Sequence, residues 1–286
     1  MIEIIRSLEN CLALNIPCVA VTVTEVKGSA PGKVGFKMLI GSNGRINGTI
    51  GGGSAELYAI EKSKELILSG KKFLTETLSM NESSESSNKR GKHTNGKNIM
   101  LNSLCGGEVT LFFEVYQKYK TIHLFGAGHV AQALTKAAIE LNYFINIYDN
   151  REDILNEIAD STACRKIKTD LSCLPKAEND IILIGKDDFI VIATHNHLND
   201  FDVLEYLYKN YRGLKYIGMI GSKRKVAEGL AYIKKKFGEE IDLSNLYAPV
   251  GLDIGGETHS EIALSIIAEI QAVRYGKTIN HLRSNG

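Results

Sequence analysis

The sequence lacks the features that mark membrane, secreted or nucleic-acid-binding proteins. No apolar run approaches the roughly 20 residues needed to span a bilayer, and the start, Met1-Ile-Glu-Ile-Ile-Arg6, is not typical of a signal peptide. The formal net charge is only +1, so neither nucleic acid nor an anionic membrane is expected as the main partner. These absences predict a cytoplasmic protein.

Paired cysteines are also missing. The chain has five cysteines, an odd number, and no two of them have Cys-x-x-Cys spacing. In a cytoplasmic protein this pattern indicates free thiols rather than disulfides or a structural zinc site. The cysteines are Cys11, Cys18, Cys105, Cys164 and Cys173.

The length of 286 residues suffices for two domains of ordinary size. The polar run 116–120 is a plausible linker, which gives predicted domains 1–118 and 119–286. Within the first domain, residues 79–98 have no apolar periodicity and are predicted to form a mobile surface loop. The basic half of this loop could touch a phosphate or a partner, but a solvated insertion is the favoured interpretation.

The first domain begins with an amphipathic pattern over 2–14 and a β-branched run over 18–26. Strands 36–40 and 45–50 flank Ser42-Asn43-Gly44, in which Asn-Gly is a strong hairpin signal. Gly51, Gly52 and Gly53 then lead into a helical pattern over 55–68, with Ser54 predicted as the N-cap. The three glycines fit either a loop that needs positive φ or a ligand cradle.

Further strands are predicted at 72–78 and 108–115. Cys105, Gly106 and Gly107 precede the second of them. A cysteine beside two glycines suggests that a neighbouring backbone or a ligand comes close, although a small core residue at a bulge is an alternative.

The second domain is organised around a strand, glycine turn, helix, strand unit from Thr121 to Asp149. Gly126 allows the tight turn, Gly128 lets a pyrophosphate approach the backbone, and the small Ala131 lets helix and strand pack closely. The following helix offers free N–H groups to an anion. Asp149 stands at the spacing at which a carboxylate meets a ribose diol, and Arg151 could instead meet a 2′-phosphate.

Two later strand ends carry polar residues that would line the same crevice. Thr194 and His195 follow the apolar strand 189–193, and Gly221, Ser222 and Lys223 follow the strand 216–220. His195 and His197 with Asp200 could bind a metal, but ordinary hydrogen bonding is favoured because a third ligand is not evident. The residues at 221–225 suit an anion or a simple helix cap equally well.

The last helix is predicted to begin with a capping box, Thr258-His-Ser-Glu261, after the glycine-rich loop 248–256. The sequence shows no set of nucleophile, base and orienting acid. A catalytic role is therefore less expected than a binding role, and no catalytic residue is predicted.

Several short motifs occur in the order seen in XdhC/CoxI-type proteins, and the chain resembles that family over nearly its whole length apart from 79–98. The motifs are Gly28-Ser-Ala-Pro31, Gly48-Thr-Ile-Gly-Gly-Gly53 with Glu56, Cys105-Gly-Gly107, Gly126-Ala-Gly-His129, Ile220-Gly-Ser222, and Ala248-Pro-Val-Gly-Leu-Asp253 with Glu261-Ile-Ala263. The resemblance implies an α/β protein, with an N-terminal mixed-sheet domain and a C-terminal Rossmann-like doubly wound parallel sheet.

The resemblance also implies a function. Such proteins are accessory factors of xanthine dehydrogenase and of carbon monoxide dehydrogenase, and they are thought to bind the molybdenum cofactor, protect it during sulfuration by a cysteine desulfurase, and deliver it to the apo-hydroxylase. They tend to form homodimers, and the cofactor is expected in a cleft between the domains. The alternative is an NAD(P)-dependent oxidoreductase that uses the Rossmann domain.

Two departures from the family pattern concern the site. Ser54 stands where relatives usually have cysteine, and His259 stands where proline is common. Any thiol contact to the cofactor must then come from Cys105 or be absent. The residues predicted to bind the cofactor are Gly51, Gly52, Gly53, Ser54, Cys105, Gly106, Gly107, Gly126, Ala127, Gly128, His129, Val130, Asp149, Asn150, Arg151, Thr194, His195, Gly221, Ser222 and Lys223.

Overall fold

A computed structural model of the protein describes residues 2–82, 93–95, 98–103, 106–174 and 184–280. The chain divides into two compact units, Met1–Lys118 and Tyr119–Gly286. Each unit has its own sheet and its own hydrophobic core. The α/β fold class, with one mixed and one parallel sheet, is as the sequence predicts.

The first unit is built on a mixed sheet with the strand order β3-β2-β1-β7-β4-β6-β5, in which only the β4–β6 pair is parallel among the described strands. Its elements are α1 Ile2–Ala13, β1 Cys18–Lys27, β2 Lys37–Gly41, β3 Gly44–Gly48, α2 Gly53–Ser69, β4 Phe73–Glu82, β5 His93–Asn95, β6 Asn98–Ser103 and β7 Gly107–Tyr116.

Side-chain alternation along β1 explains why both faces of this sheet are covered. Val19, Val21 and Val23 join the core beneath α2. Cys18 and Ala20 point to the opposite face and pack with Leu8 of α1. Because neighbouring residues of a strand face opposite ways, this apolar strand needs a helix on each side.

The second unit is built on a parallel sheet with the strand order β10-β9-β8-β11-β12-β13. Numbered from β8 along the chain, this is the order 3-2-1-4-5-6 of dinucleotide-binding domains. Its elements are β8 Lys120–Phe125, α3 His129–Glu140, β9 Tyr143–Asp149, α4 Glu152–Glu157, β10 Cys164–Lys168, β11 Phe189–Ile192, α5 His197–Asn210, β12 Tyr216–Met219, α6 Lys223–Phe237, β13 Leu246–Tyr247 and α7 His259–Tyr275.

Helices cover both faces of this sheet, as parallel strands require. Residues of α3, α4 and α7 form one core cluster, and residues of α5 and α6 form the other. None of the helices formed by the described residues combines the length and the apolar composition of a membrane-crossing segment. The four cysteines within the described part of the chain are free thiols: Cys11, Cys18, Cys164 and Cys173.

The prediction of a loop over residues 79–98 is wrong at both ends of the segment, where the structure has strands. Strand β4 continues through Glu82, because Ser79 pairs with Glu108 of β7 on one side and with Met100 of β6 on the other. Backbone hydrogen bonds on both sides support a strand whose polar side chains suggested a loop. Strands β5 and β6 take up residues 93–95 and 98 of the same segment, and residues 83–92 and 96–97 lie outside the described residues.

Two local predictions in the first unit also need correction. Strand β3 runs from Gly44 to Gly48 instead of 45–50, and because Gly41 pairs with Gly44 the turn residues are Ser42 and Asn43. Helix α2 begins at Gly53 with Gly52 as its N-cap, so Ser54 is not the cap.

Candidate functional site

The carboxyl ends of β8 and β11 meet at the point where the strand order reverses, which is where open α/β sheets bind ligands. Gly126 follows β8 and ties the turn to both neighbouring strands. Its N–H donates to Tyr148 O over 2.8 Å, and Ala193 N–H donates to Phe125 O, also over 2.8 Å. Gly126 has φ +110°, and a Cβ atom there would lie 2.2 Å from Ala193 O. Only glycine fits this turn.

The N-terminus of α3 is open to a ligand. Gly128 is the N-cap with φ −65°, and no side chain caps the helix. A Cβ atom added at Gly128 would have no heavy atom of the described residues within 4 Å, so space lies in front of the backbone. His129 is exposed, whereas Ala131 is buried against the core. This arrangement leaves main-chain N–H groups and a partial positive charge for an anion.

Asp149 is fully buried and is held by its own chain. Its Oδ2 accepts hydrogen bonds from Ala127 N (2.8 Å) and Arg151 Nη2 (2.8 Å), and its Oδ1 accepts from Arg151 N (3.0 Å) and Arg151 Nε (2.9 Å). Burial raises the pKa of this carboxyl, but these hydrogen bonds and the guanidinium charge outweigh burial and lower the pKa. The carboxylate thus fixes the glycine turn, and Asn150 beside it is exposed.

Thr194 and the exposed His195 lie just beyond β11. Thr194 N–H donates to Asp200 Oδ1 over 3.0 Å, and Thr194 Oγ1 donates to Asn196 O over 2.7 Å. Asn196 is the N-cap of α5, so this segment is an ordered entry to the helix. Asp200 is buried and paired with Lys225, and no cluster of three metal-ligating side chains forms within the described ranges.

Ser222 is the N-cap of α6, where its side chain accepts a hydrogen bond from Lys225 N over 3.3 Å. Lys223 is exposed to solvent. A Cβ atom at Gly221 would lie 2.8 Å from Lys225 Cδ, so the glycine makes room for the lysine stem. Lys225 belongs to the segment 221–225 that the sequence analysis relates to an anion, but it is not among the residues predicted to bind the cofactor. It is half-buried, whereas Lys223 and Arg224 are exposed. The small residue at 221 and the acid in the preceding strand-to-helix segment are the signals that could have identified it.

In the first unit the three consecutive glycines have different roles. A Cβ atom at Gly51 would lie 2.4 Å from Gly32 N, so Gly51 allows two loops to pack together. Gly52 and Gly53 have no described heavy atom within 4 Å of an added Cβ. All three have positive φ. The sequence therefore predicted the need for positive φ correctly, and the space at Gly52 and Gly53 is what a ligand cradle requires.

Glu56 organises this turn. Its Oε1 accepts hydrogen bonds from Gly52 N (3.0 Å), Ile50 N (3.1 Å) and the Thr49 hydroxyl. Burial raises the pKa of Glu56, but these hydrogen bonds and Arg45 outweigh it and lower the pKa. Glu56 thus satisfies the backbone N–H of the N-cap residue Gly52 from within the helix, and no side chain caps the first turn of α2.

Ser54 Oγ is buried without a hydrogen-bond partner among the described residues. Leaving a buried hydroxyl unsatisfied costs about 1–3 kcal/mol. We expect Ser54→Ala, and likewise Ser54→Cys, to raise the free energy of unfolding by about 1 kcal/mol in urea denaturation. Ser69→Ala, which removes a hydroxyl that bonds Leu66 O over 3.1 Å, should not stabilise the protein. A loss of stability in both Ser54 variants would contradict this account.

Ser29 Oγ donates to Gly106 O over 2.9 Å, so the loop after β1 meets the residues before β7. Gly107 has φ +114°, and its added Cβ would lie 2.4 Å from Lys27 O. Gly107 thus serves close packing of backbone segments, whereas an added Cβ at Gly106 would make only an ordinary contact with Ser29 Oγ at 3.8 Å. Cys105 lies outside the described residues.

The glycine-rich loop after β13 is anchored to α7 by Glu269. Gly251 N–H donates to Glu269 Oε2 over 2.9 Å, and the Tyr216 hydroxyl lies 3.4 Å from the same oxygen. Farther along, Thr258 and Glu261 form the predicted capping box of α7. Burial raises the pKa of Glu269, and the bonds from Gly251 and Tyr216 offset only part of that effect.

This raised pKa predicts a pH-dependent stability. The folded protein binds the Glu269 proton more tightly than the unfolded chain, so the contribution is full below the ordinary pKa of 4.5 and is lost as pH rises through the folded pKa. Glu269→Gln cannot lose that proton and keeps an acceptor for Gly251. We expect its Tm to exceed that of the wild type by about 2–4 °C at pH 8 and to match it at pH 4. An equal difference at both pH values would argue against the assignment.

Comparison with known proteins relates each of the two units to a described protein family. The family described as "XdhC Rossmann domain" matches residues 122–270, and the family described as "XdhC and CoxI family" matches residues 11–78. The chain is 30% identical over 265 residues to the protein YqeB of Escherichia coli, covering 91% of this chain and 44% of that protein. It is 27% identical over 164 residues to a probable xanthine dehydrogenase subunit from Bacillus subtilis, covering 57% of this chain and 46% of that protein.

The chain spans less than half the length of these two curated relatives. Among solved structures, it resembles a xanthine dehydrogenase from Bacillus halodurans with a TM-score of 0.47 and 20% identity, covering 95% of this chain and 96% of that one. Since the Rossmann family alone covers more than half of the residues, and the second family covers most of the first unit, the chain belongs to the XdhC and CoxI family.

Proposed function

We propose that the protein is an accessory factor of a molybdenum hydroxylase that binds the molybdenum cofactor and delivers it, in sulfurated form, to the apoenzyme. Membership of the XdhC and CoxI family supports this function, and so does the similarity to a probable xanthine dehydrogenase subunit. The structural observation that carries the proposal is the uncapped N-terminus of α3 behind the open backbone of Gly128.

The residues at this turn suit the cargo. Molybdopterin ends in a phosphate, and some forms of the cofactor carry an attached nucleotide. The N–H of Ala127 is taken by Asp149, so the N–H groups of Gly128, His129 and Val130 are the ones that would receive the phosphate. The missing Cβ of Gly128 allows an oxyanion to approach those groups closely.

The proposal includes two protein partners and a self-association. The apo-hydroxylase receives the cofactor, and a cysteine desulfurase supplies the sulfur while the cofactor is held. The delivery protein acts as a homodimer. In this role the chain binds, protects and transfers a ready-made cofactor, which is consistent with a site made mainly of backbone groups rather than of acid and base side chains.

Mass spectrometry of the small molecules released from the purified protein tests this function. The protein is produced in a host that makes molybdopterin and, as a control, in one that does not. Molybdopterin should be released only from the first preparation, and co-expression should raise the activity of a molybdenum hydroxylase. If no molybdopterin is retained and hydroxylase activity is unchanged, the proposed function fails.

An NAD(P)-dependent oxidoreductase is the second candidate, because the strand order 3-2-1-4-5-6 is that of dinucleotide-binding domains. Against it, both oxygens of Asp149 are already bonded within the chain, so a ribose diol would have to displace Arg151. Titration with NADH and NADPH decides the matter. Saturable binding to the wild type that is lost in an Asp149→Ala variant shown by circular dichroism to be folded would favour this candidate, and absence of binding to the wild type would remove it.

A further inference from the structure

A buried ion pair joins the ends of β11 and β12 beside the glycine turn. Asp200 is completely buried, and its carboxylate accepts from Lys225 Nζ and from Thr194 N. Lys225 Nζ also donates to Ile220 O over 2.9 Å. The pair therefore connects the residue after β12 with the segment that follows β11.

This ion pair lies on the edge of the sheet at which a ligand would bind. Ala193, next to Thr194, is the residue whose N–H reaches Phe125 O and whose carbonyl excludes a side chain at Gly126. The pair and the glycine turn are thus coupled through a continuous stretch of backbone. Both belong to the carboxyl ends of the parallel strands.

Lys225 has one more N–H donor than these contacts use. An ammonium group has three N–H donors, and within the described part of the chain Lys225 Nζ has two acceptors, Asp200 and Ile220 O. The lysine side chain is 22% exposed, whereas that of Asp200 is 0% exposed. Lys225 is therefore the partly exposed member of the pair and Asp200 the enclosed one, which makes the third lysine donor the group of the pair that is available to a ligand.

The packing around the stem fixes the position of this donor. Lys225 lies over Gly221, where any larger residue would collide with its Cδ at 2.8 Å. A partly desolvated and prepositioned ammonium binds an anion more strongly than a solvated one does. By contrast, the side chain of the neighbouring Arg224 is 90% exposed.

We infer that Lys225 is a ligand-binding residue of the crevice, which donates its third N–H to an anionic group of the bound molecule, and that Asp200 is a positioning residue that holds the ammonium and moderates its charge. The inference rests on the proposed ligand site and deepens it. The ligand class is a small molecule with a phosphate or a carboxylate near the ends of β11 and β12.

Two variants make opposite predictions. Asp200→Asn keeps an acceptor for Thr194 N–H but removes the charge that neutralises Lys225, so the affinity of the folded variant for an anion should rise. Because it leaves the lysine without a counter-charge, we expect a lower Tm, and circular dichroism verifies that the variant is folded at the titration temperature. The double variant Asp200→Asn with Lys225→Met removes the donor without leaving an unpaired buried charge, which keeps folding possible. Its affinity for an anion should fall.

The full-length protein is titrated with inorganic pyrophosphate by calorimetry at two salt concentrations. We expect Asp200→Asn to bind at least threefold more tightly than the wild type, and the double variant to bind at least tenfold more weakly with a smaller salt dependence. The matched control removes the exposed pair Lys234–Glu239, 3.0 Å apart at the C-terminal end of α6, by Lys234→Met with Glu239→Gln. That control should bind within twofold of the wild type.

If the ion pair is purely structural, the affinity of Asp200→Asn for pyrophosphate should be equal to or lower than that of the wild type, and this result would overturn the inference. A double variant that binds pyrophosphate within twofold of the wild type would also overturn it. So would a wild-type protein that does not bind pyrophosphate. The failure of the proposed function is distinguishable. If pyrophosphate binding depends on Lys225 but no molybdopterin is retained, the cargo is wrong and the residue assignment stands. If the double variant retains molybdopterin as well as the wild type does, the residue assignment is wrong.

Discussion

Gly126→Ala is expected to destabilise the second unit by about 3–6 kcal/mol, because it combines a strained backbone with overpacking. At φ +110° an alanine is strained, and its Cβ would lie 2.2 Å from Ala193 O, a backbone atom that cannot move aside without shifting the end of β11. A loss of this size is a large part of the stability of a typical domain. Thermal unfolding followed by circular dichroism should show a Tm lowered by about 6–24 °C.

The matched control is Gly128→Ala, two residues further along the same turn. Gly128 has φ −65° and open space at the Cβ position. We expect its stability to stay within about 1 kcal/mol of the wild type. If the two alanine variants were equally stable, the described geometry of the turn would be wrong.

Asp149→Asn should also be strongly destabilising. It removes a buried charge that holds Ala127 N and the Arg151 guanidinium. Breaking a buried pair costs about 3–5 kcal/mol, and we expect about 3 kcal/mol at pH 7 because Arg151, with 32% of its side chain exposed, can partly turn to water. The corresponding fall in Tm is about 6–12 °C.

The pH dependence provides an independent check. The lowered pKa of Asp149 contributes stability that is fully present above the ordinary value of 3.8 and is lost as pH falls through the folded pKa. The difference between wild type and Asp149→Asn should therefore shrink as the pH is lowered from 5 toward 2. Lys168→Met, which breaks the exposed pair with Glu152 (2.6 Å), should show only a small difference at any pH. A constant difference for Asp149→Asn would contradict the assigned role.

Much of the secondary structure of the second unit was predictable, because neighbouring residues in the sequence indicate each strand and each turn independently. Apolar runs predicted β8, β9, β11 and β12, Gly126 and Gly128 marked the turn after β8, and the capping box at Thr258 marked the start of α7. Strand β10 was missed because Cys-Arg-Lys-Ile-Lys has little apolar character, and it is a strand through its pairing with β9. Strand β13 has only two residues, too few for any pattern.

The candidate site was less predictable because its partners are distant in sequence. Asp149 was selected by its spacing from the glycines, but that spacing does not show that Arg151 and Ala127 N occupy the carboxylate. Ser54 resembled an N-cap, but Glu56 satisfies the turn instead. Lys225 was passed over for Lys223, since only the fold brings Asp200 to one of the two lysines.

The central claim is that main-chain N–H groups at Gly128–Val130 hold the phosphate of the cargo, and Gly128→Val tests it most directly. The valine side chain finds no described protein atom in its way at the Cβ position, but it fills the space in front of those N–H groups. The measurement is the molybdopterin released per protein molecule, from wild type and variant produced in the same molybdopterin-making host. The account predicts at least a tenfold lower content in a variant whose Tm is nearly that of the wild type, whereas an equal content would contradict it.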